Sequence, residues 1–448
     1  MRSVGLILVC GLAMGCGARK SPVEPVTTVE ALRAMVPADL QFSPAPLDDK
    51  DNGYLTLIKA TEALDTTRRR LDLTPFMKGQ LNAIQVKQAK DFLKTNAKAI
   101  DLFIKAVNQK RWRAKIDEGA QELFPELAHS KDLCRLLVIR SSVDLTTGDS
   151  SRAAADLMIA WQVGDRLIHC ESSMIHYLVG VALTAIAERG MQTQAWKGGM
   201  SRSGIQVLLK RLPTTVDDAM SNQHRAEFNN YFLPELSKLQ GPERSQFFKN
   251  SAMSDTLDKS IARALEGHSR PFDREATLKE AIAIYQELIK NTQRKWSDQV
   301  DLSARTDALS TGWPKSFLEG ESQSEADIKS ARDKMQSVEN PFGKLILSVS
   351  IPLPTAQVER KRQFSLDVAR ISLANRLYAM NHGGANAPSL KALGLNLLDQ
   401  FSGEPYRYDA RRGVIYSAGP DSKDDGGRDP VGRFGMEAKD WVASIRGG

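Results

Sequence analysis

The chain has 448 residues, of which 42% are hydrophobic and 26% are charged, a balance typical of a folded protein and not of a disordered one. Its 61 basic and 54 acidic side chains give a formal net charge of +7. Only 6% of its residues are aromatic, so its basic clusters at 68–70, 110–113 and 360–362 do not favour nucleic acid as a partner. The length allows two or three domains.

The first fifteen residues predict a cleaved export signal. Arg2 provides a positive start, and the apolar run 4–14 follows it. That run is too short for a permanent transmembrane helix, which needs about 20 apolar residues. A charged start, a short apolar core and small residues at the end together indicate a signal peptide over 1–15.

The end of this segment carries a lipidation motif. Residues 12–17 (Leu-Ala-Met-Gly-Cys-Gly) resemble the lipobox of bacterial lipoproteins, with Gly15 as the small residue before the acceptor Cys16. The segment departs from that pattern at Ala13, where the family usually has leucine. Two alternatives are an ordinary signal peptide with a chance cysteine and lipidation at Cys10.

The lipobox resemblance implies an address in the cell envelope. In that family the cysteine sulfur takes a diacylglycerol and the new amino terminus a third acyl chain, which together anchor a protein stably. Gly17 follows the cysteine where an aspartate would often retain the protein at the inner membrane, so we expect the periplasmic face of the outer membrane. Residues 16–50 are predicted to be the lipidated cysteine and a tether, beginning with the polar segment 18–28. In this compartment, solvated helix faces or loose attraction to anionic lipid or cell wall account for the positive charge.

Helical periodicity dominates residues 51–340, which we predict to be a helical domain of antiparallel pairs, an irregular body resembling an α-solenoid. The predicted helices are 52–71, 84–107, 133–145, 153–167, 174–187, 203–212, 216–231, 254–265, 274–295 and 324–338. The segment 297–323, with scattered Ser, Thr, Gly and Pro, is predicted to be a loop. The helix 174–187 is apolar nearly all round and, at this length, is expected to lie in a core and not in a membrane.

One pair of these helices has a recognisable turn. Gly148 can end the first helix, and Asp149 or Ser150 can cap the start of the second. This unit resembles a single tetratricopeptide hairpin, with Ala154 and Ala160 as small packing residues. Because no 34-residue period continues elsewhere, the pattern favours an antiparallel pair over a repeat array.

The pattern changes after residue 340. Asn340 and Pro341 indicate an N-cap and a first helical position, although 342–351 would fit a short helix or a strand. We predict 341–356 to be a connector. A long amphipathic helix follows at 357–381, and two β-like pieces on either side of 409–412 then predict a hairpin.

The C-terminal motifs resemble a known family. Residues 399–408 (Asp-Gln-Phe-Ser-Gly-Glu-Pro-Tyr-Arg-Tyr), 416–421 (Tyr-Ser-Ala-Gly-Pro-Asp) and 426–427 (Gly-Gly) are similar to the C-terminal half of major pseudopilins of type II secretion. Gln400 stands where that family has proline, and the prepilin leader and its membrane helix are missing. The same ending occurs on uncharacterised exported proteins, so it does not imply pilus assembly. The resemblance implies a small α+β subdomain, assigned to 357–435, with 436–448 as a tail.

In that family an acidic loop holds calcium, which takes about 6–8 oxygen ligands. Asp421 matches the family's first loop aspartate, while Asp424, Asp425 and Asp429 are available in place of the later pair at a different spacing. The alternative is an exposed turn in which the aspartates cap backbone amides. Calcium is the one cofactor that the sequence suggests.

Other residues that carry chemistry do not form a complete motif. His169, Cys170 and His176 lack the further ligand that zinc would need, so a hydrogen-bonded core histidine is the favoured interpretation. His224 and Glu227 share a helical face and are interpreted as an ordinary exposed pair. Helical spacing makes a Cys134–Cys170 disulfide awkward without excluding it.

No familiar catalytic motif was found, including the nucleophile elbow, the zinc-protease helix and the phosphate loop. The sequence therefore favours a non-enzymatic scaffold or partner-binding protein for envelope assembly, secretion or transport. The alternative is a periplasmic hydrolase that acts on glycan or peptide. A cleft with paired carboxylates of shifted pKa would favour the hydrolase.

Overall fold

The computed structural model describes residues 28–65, 79–114, 124–239, 254–318, 323–351, 355–427 and 440–446, and most of them are helical. The helices are α1 (Val29–Ala34), α2 (Gly53–Glu62), α3 (Ala83–Thr95), α4 (Ala97–Asn108), α5 (Pro125–Thr146), α6 (Ser150–Ile168), α7 (Met174–Trp196), α8 (Arg202–Arg211), α9 (Ala219–Glu227), α10 (Leu233–Lys238), α11 (Ser254–Ala264), α12 (Arg274–Gln293), α13 (Ser303–Ser310), α14 (Lys315–Leu318), α15 (Glu325–Met335), α16 (Pro341–Ser350) and α17 (Thr355–Asn381). The strands are β1 (Arg407–Asp409), β2 (Val414–Ser417) and β3 (Trp441–Ser444). The prediction of a mainly α-helical chain with a small C-terminal α+β part is confirmed.

The first hydrophobic core lies among α2 to α8 and is closed by one face of α17. The predicted antiparallel pair within it is α5 and α6. Gly148 at the turn has a φ of 78°, which glycine adopts without strain. Asp149 is the N-cap of α6, because its side chain accepts a hydrogen bond of 3.0 Å from the backbone N–H of Arg152.

Helices α6 and α7 approach each other unusually closely within this core. Gly164 of α6 faces Gly180 of α7 with no side chain between the two backbones. A methyl group added at Gly164 would lie 2.7 Å from the carbonyl oxygen of Gly180 and 2.7 Å from the backbone nitrogen of Thr184. Two glycines therefore set the distance between the central helices of the core.

Helix α7 runs beyond its predicted end at residue 187. Its second half buries the polar side chains of Glu188 and Gln194, each held by hydrogen bonds, so the apolar pattern stops although the helix continues. Within the described ranges, no helix is both long and apolar enough to cross a membrane.

The second hydrophobic core is formed by α1, by the segment that follows α9 from Phe228, and by α10 to α16. Helix α1, the first of the described helices, packs here, with Leu32, Val36 and Leu40 buried. The predicted tether 16–50 therefore contains a folded element over 29–40. The extended segment 41–48, which we call the strap, then crosses from α1 to α2 in the first core.

The predicted helix 216–231 is interrupted. Helix α9 widens into a π-helical turn at Phe228–Phe232, and α10 follows with Pro234 in its first turn. Proline has no N–H and its ring collides with the carbonyl group four residues earlier, so the backbone widens before it.

Two other segments of this core differ from expectation. The predicted loop 297–323 is wrong, because α13 and α14 lie within it and bury Leu309, Trp313 and Phe317. The predicted connector 341–356 contains α16, which supports the helical alternative and buries Phe342 and Leu345. Asn340 is its N-cap, as predicted.

The C-terminal subdomain packs on α17. The strands form an antiparallel sheet in the order β1-β2-β3, with Tyr408 opposite Ile415 and Ile415 opposite Ala443. Ile415 and Ile445 bury against Val368 of α17. The hairpin is present as predicted, but β3 lies in the predicted tail 436–448, so the sheet extends beyond residue 435.

The contact between α6 and α7 predicts an effect on stability. Gly164→Ala should lower the free energy of unfolding by about 1–3 kcal/mol, because the added methyl group meets backbone atoms that cannot move alone. Gly190→Ala is the matched control on α7, where the added methyl would meet only side-chain methyl groups, 3.0–3.1 Å away. Urea unfolding should therefore give Gly164→Ala a lower free energy of unfolding than Gly190→Ala. Equal stability of the two variants would contradict the close approach of α6 and α7.

Candidate functional site

The predicted acidic loop is held by hydrogen bonds from the protein itself. Asp421 accepts from the backbone N–H of Lys423 at 3.1 Å, and Asp424 accepts from that of Gly426 at 2.8 Å. The guanidinium of Arg407 donates to the other oxygen of Asp424 at 3.3 Å. The aspartates thus cap backbone amides, as the alternative interpretation expected.

Asp440, which the sequence interpretation missed, adds a carboxylate to this loop. Its side chain is fully buried, and Oδ2 accepts from the backbone N–H of Gly427 at 2.7 Å. Oδ1 is buried without a hydrogen-bond partner among the described residues. Burial and the nearby charges of Asp424 and Asp425 raise the pKa of Asp440. No motif marks this residue, because only the antiparallel pairing of β3 with β2 brings it to the loop.

The carboxylates of this loop do not form a complete calcium site in the described part of the chain. No group of three or more His, Cys, Asp or Glu side chains there is arranged to hold a metal ion. Asp429, the fourth predicted ligand, lies outside the described residues, as does Cys16. Calcium binding therefore stays a prediction.

His176 is a core histidine, as the favoured interpretation expected. It is fully buried, with Nδ1 2.8 Å from the hydroxyl of Ser173 and Nε2 2.8 Å from that of Tyr54. Tyr54 in turn donates to Glu126. Burial lowers the pKa of His176 to about 3, so this imidazole is neutral.

The two described cysteines are both free. Cys134 and Cys170 are buried thiols, and burial raises the pKa of each to about 12. Both side chains are therefore protonated thiols at neutral pH, the form that is the weaker nucleophile.

The interpretation of His224 and Glu227 as an exposed pair is wrong. His224 is fully buried, with its ring centroid 6.3 Å from that of Tyr285, and burial lowers its pKa to about 3. Glu227 accepts a hydrogen bond of 2.8 Å from the backbone N–H of Met174 at the start of α7. Burial raises the pKa of Glu227 to about 7. Glu227 therefore joins α9 to the amino terminus of α7, while His224 packs against α12. Helical spacing alone could not show that this face of α9 is covered.

Two further carboxyl groups with raised pKa lie inside the packing of α17. Glu188 accepts from the indole N–H of Trp161 at 2.9 Å and from Ser365, and Asp367 accepts from the hydroxyl of Tyr406 at 3.0 Å. Burial raises the pKa of both groups to about 7. Both side chains are enclosed.

An open cleft lies where the first and second cores meet, and the strap divides it. Two cavities of about 430 and 410 Å³ adjoin along the strap and share Pro44 and Glu171 in their linings. We call them together the junction cleft. Its other polar lining residues are Gln41, Ser43, His169, Asn222, Gln223 and Arg225 on one side and Arg33, Asp49, Asn52, Arg113 and Asn230 on the other.

Two charged groups of the junction cleft, Glu171 and His169, are held by hydrogen bonds to neighbouring residues. Glu171 accepts hydrogen bonds from both Arg111 and Arg113. His169 bonds through Nε2 to Asp217 at 2.7 Å and through Nδ1 to the carbonyl oxygen of Asp165 at 2.7 Å. Burial opposes the charged imidazole, but these bonds outweigh it and raise its pKa.

The cavity linings hold one hydroxyl group, that of Ser43, together with the imidazole of His169 and the carboxylates of Asp49 and Glu171. The carboxyl groups of Glu188 and Asp367 do not line the cleft. Comparisons of the chain with protein-family models, curated proteins and solved structures found no match.

The acidic loop yields a test of calcium binding. If calcium completes the site, a millimolar excess of calcium over chelator should raise the melting temperature of the full chain by about 2–4 °C, because a ligand of the folded state stabilises it. Asp424→Asn should remove that increase, and Asp91→Asn on the exposed face of α3 should retain it. A melting temperature that is independent of calcium would favour the amide-capping interpretation.

Glu188 predicts a pH dependence of stability. Its pKa of about 7 in the folded protein exceeds the ordinary value of 4.5, so the folded state keeps a proton that the unfolded chain releases. This contribution is complete below about pH 4.5 and is lost as the pH rises through about 7. Glu188→Gln is neutral throughout, so its stability relative to the wild type should rise by up to about 1.4 kcal/mol per pH unit across that window. Chemical denaturation at several pH values measures the free energy of unfolding of both proteins. Glu62→Gln, at an exposed position, is the control. If the free energy of unfolding varied with pH in the same way in the wild type and in Glu188→Gln, the prediction would be contradicted.

Proposed function

We propose that the chain is a lipid-anchored protein of the bacterial cell envelope that works by binding a partner protein and not by catalysis. The signal 1–15 would export it, and acylated Cys16 would hold it on a membrane, at the periplasmic face of the outer membrane. Its work would be that of a scaffold in envelope assembly, secretion or transport. The lipobox-like residues support the anchor, and the junction cleft supports the binding role.

The observation that carries the binding role is the composition of the junction cleft. It is a concave surface with amide and guanidinium groups on both sides of the strap. Arg225 bonds to the carbonyl oxygen of Asp39 and the amide oxygen of Asn222, and Arg33 to the carbonyl oxygen of Asn229. Neutral acceptors leave the positive charge of both arginines uncompensated within the described residues, which favours polar or acidic protein surfaces.

The alternative of a hydrolase receives less support. A glycosidase needs two carboxyl groups on either side of an accessible substrate. Glu188 and Asp367 have the raised pKa of such groups, but both side chains are buried in the packing around α17, where a glycan cannot reach them. Within the cleft, the carboxylate of Glu171 is neutralised by two arginines.

Site-specific crosslinking in cells tests this function. A photoreactive amino acid at Asn222 or Asn230, both in the cleft lining, should capture the same envelope protein. The matched control is the same amino acid at Gln88, exposed on α3, which should not capture it. A Cys16→Ser form that is still exported should leave the membrane fraction and yet retain the partner. Equal capture from all three positions, or none under conditions that capture a known complex, would contradict the proposal.

A further inference from the structure

We propose that the junction cleft recognises an extended, proline-containing peptide segment of its partner through main-chain carbonyl groups, and that the strap is an internal copy of this ligand. The inference rests on the proposed binding function and names the chemical class of the partner. The strap, residues 41–48, has the sequence Gln-Phe-Ser-Pro-Ala-Pro-Leu-Asp and is extended.

Two arginines of the first core bind the main chain of the strap. Arg111 donates to the carbonyl oxygens of Pro46 at 2.9 Å and Ala45 at 2.8 Å. Arg113 donates to the same oxygen of Ala45 at 2.9 Å. Because the acceptors are carbonyl oxygens of consecutive residues, these bonds read an extended backbone and not a particular side chain.

These donors are held in position before any peptide arrives. Glu171, in the turn between α6 and α7, accepts from Arg113 Nε at 2.9 Å and from Arg111 at 3.3 Å. One carboxylate thus fixes both guanidinium groups, which reduces the entropy that a ligand must overcome.

Apart from the bonds from Arg111 and Arg113, the strap is lightly held. Ser43, Ala45, Pro46 and Asp48 are exposed, and none of the backbone N–H groups of 42–48 donates to a described residue. Prolines at 44 and 46 remove two donors and favour an extended backbone even before binding. A segment with the same pair of carbonyls can therefore replace the strap without breaking a helix or the sheet.

The cavities beside the strap supply room and one further polar contact. The side-chain amide of Gln223 donates from Nε2 to the carbonyl oxygens of Ile168 at 2.9 Å and Cys170 at 2.6 Å. These bonds fix the orientation of the amide, and its Oε1 has no donor among the described residues. Gln223 lines the cavity of about 430 Å³, so a peptide N–H entering there can meet this acceptor.

A labelled synthetic peptide with the sequence of 41–48 is the probe. The protein is the full chain in detergent, either wild type or with 42–47 replaced by Gly and Ser at the same length. Fluorescence anisotropy should show binding to the replaced variant about tenfold tighter than to the wild type. The Gly and Ser strap keeps its carbonyl groups but lacks the two prolines that favour an extended backbone, so it competes less well for the same arginines. In the replaced variant, Arg113→Ala should weaken binding at least about tenfold, since it removes one donor to Ala45 and one partner of Glu171. Arg135→Ala, which removes a surface ion pair with Asp132 on α5, is the matched control and should leave binding unchanged.

Three results would overturn the inference. The first is no binding to the replaced variant at millimolar peptide while circular dichroism shows its helices intact. The second is equal binding with and without Arg113. The third is a wild-type dimer in light scattering that disappears on replacement of the strap, which would make a second copy of the chain the occupant. Loss of peptide binding together with continued crosslinking at Asn222 would overturn this inference alone and leave the proposed function standing.

Discussion

A buried guanidinium on α17 constrains the arrangement of the helices. Arg362 is 4% exposed, and its nitrogens lie 3.4 Å from Glu359, 3.5 Å from Asp217 and 3.6 Å from Asp165. Burying an unpaired charge costs several kcal/mol, so the guanidinium is tolerated only when these carboxylates surround it. They come from α6, from the turn before α9 and from α17 itself. The ends of three chain segments that are distant in sequence are thereby fixed relative to one another.

The same physical rule explains the other polar groups at the junction of the two cores. Glu227 bonds to the start of α7, and the amide of Gln223 bonds to the end of α6. Each of these bonds offsets the loss of hydration of a buried polar group. The junction between the cores is therefore held by directional bonds, in contrast to the apolar interiors on either side. Directional bonds fix the position of the cleft more closely than apolar packing would.

Much of the fold could be predicted because the spacing of apolar residues along the chain indicates which segments are helices. The turn at Gly148, the cap at Asp149 and the hairpin around 409–412 follow from local chemistry and are present. The second half of α7 was missed because its buried faces carry Glu188 and Gln194, which read as exposed until their partners are known. Helices α13 and α14 were missed because short helices with Ser, Thr and Gly resemble a loop.

The sequence predicted less of the candidate site than of the fold. The predicted aspartates of the acidic loop lie close together in the sequence, so their spacing was enough to identify them. The junction cleft instead combines the strap, residues near Arg113, the turn at Glu171 and the start of α9, which no spacing rule connects. Asp440 reaches the acidic loop only through the pairing of two strands. Such groups become visible only when long-range contacts are known.

The docking of α1 also has a consequence for the order in which the molecule can fold. The amide of Asn229 donates to the carbonyl oxygen of Leu40 across 189 positions of the chain. Helix α1 is synthesised before α10 and α12, and the surface that buries Leu32, Val36 and Leu40 does not exist until those two helices have followed. Closing so large a loop is entropically costly and slow relative to local helix formation. Helix α1 is thus among the last elements to reach its final position, and until then its apolar side chains stay exposed on the nascent chain.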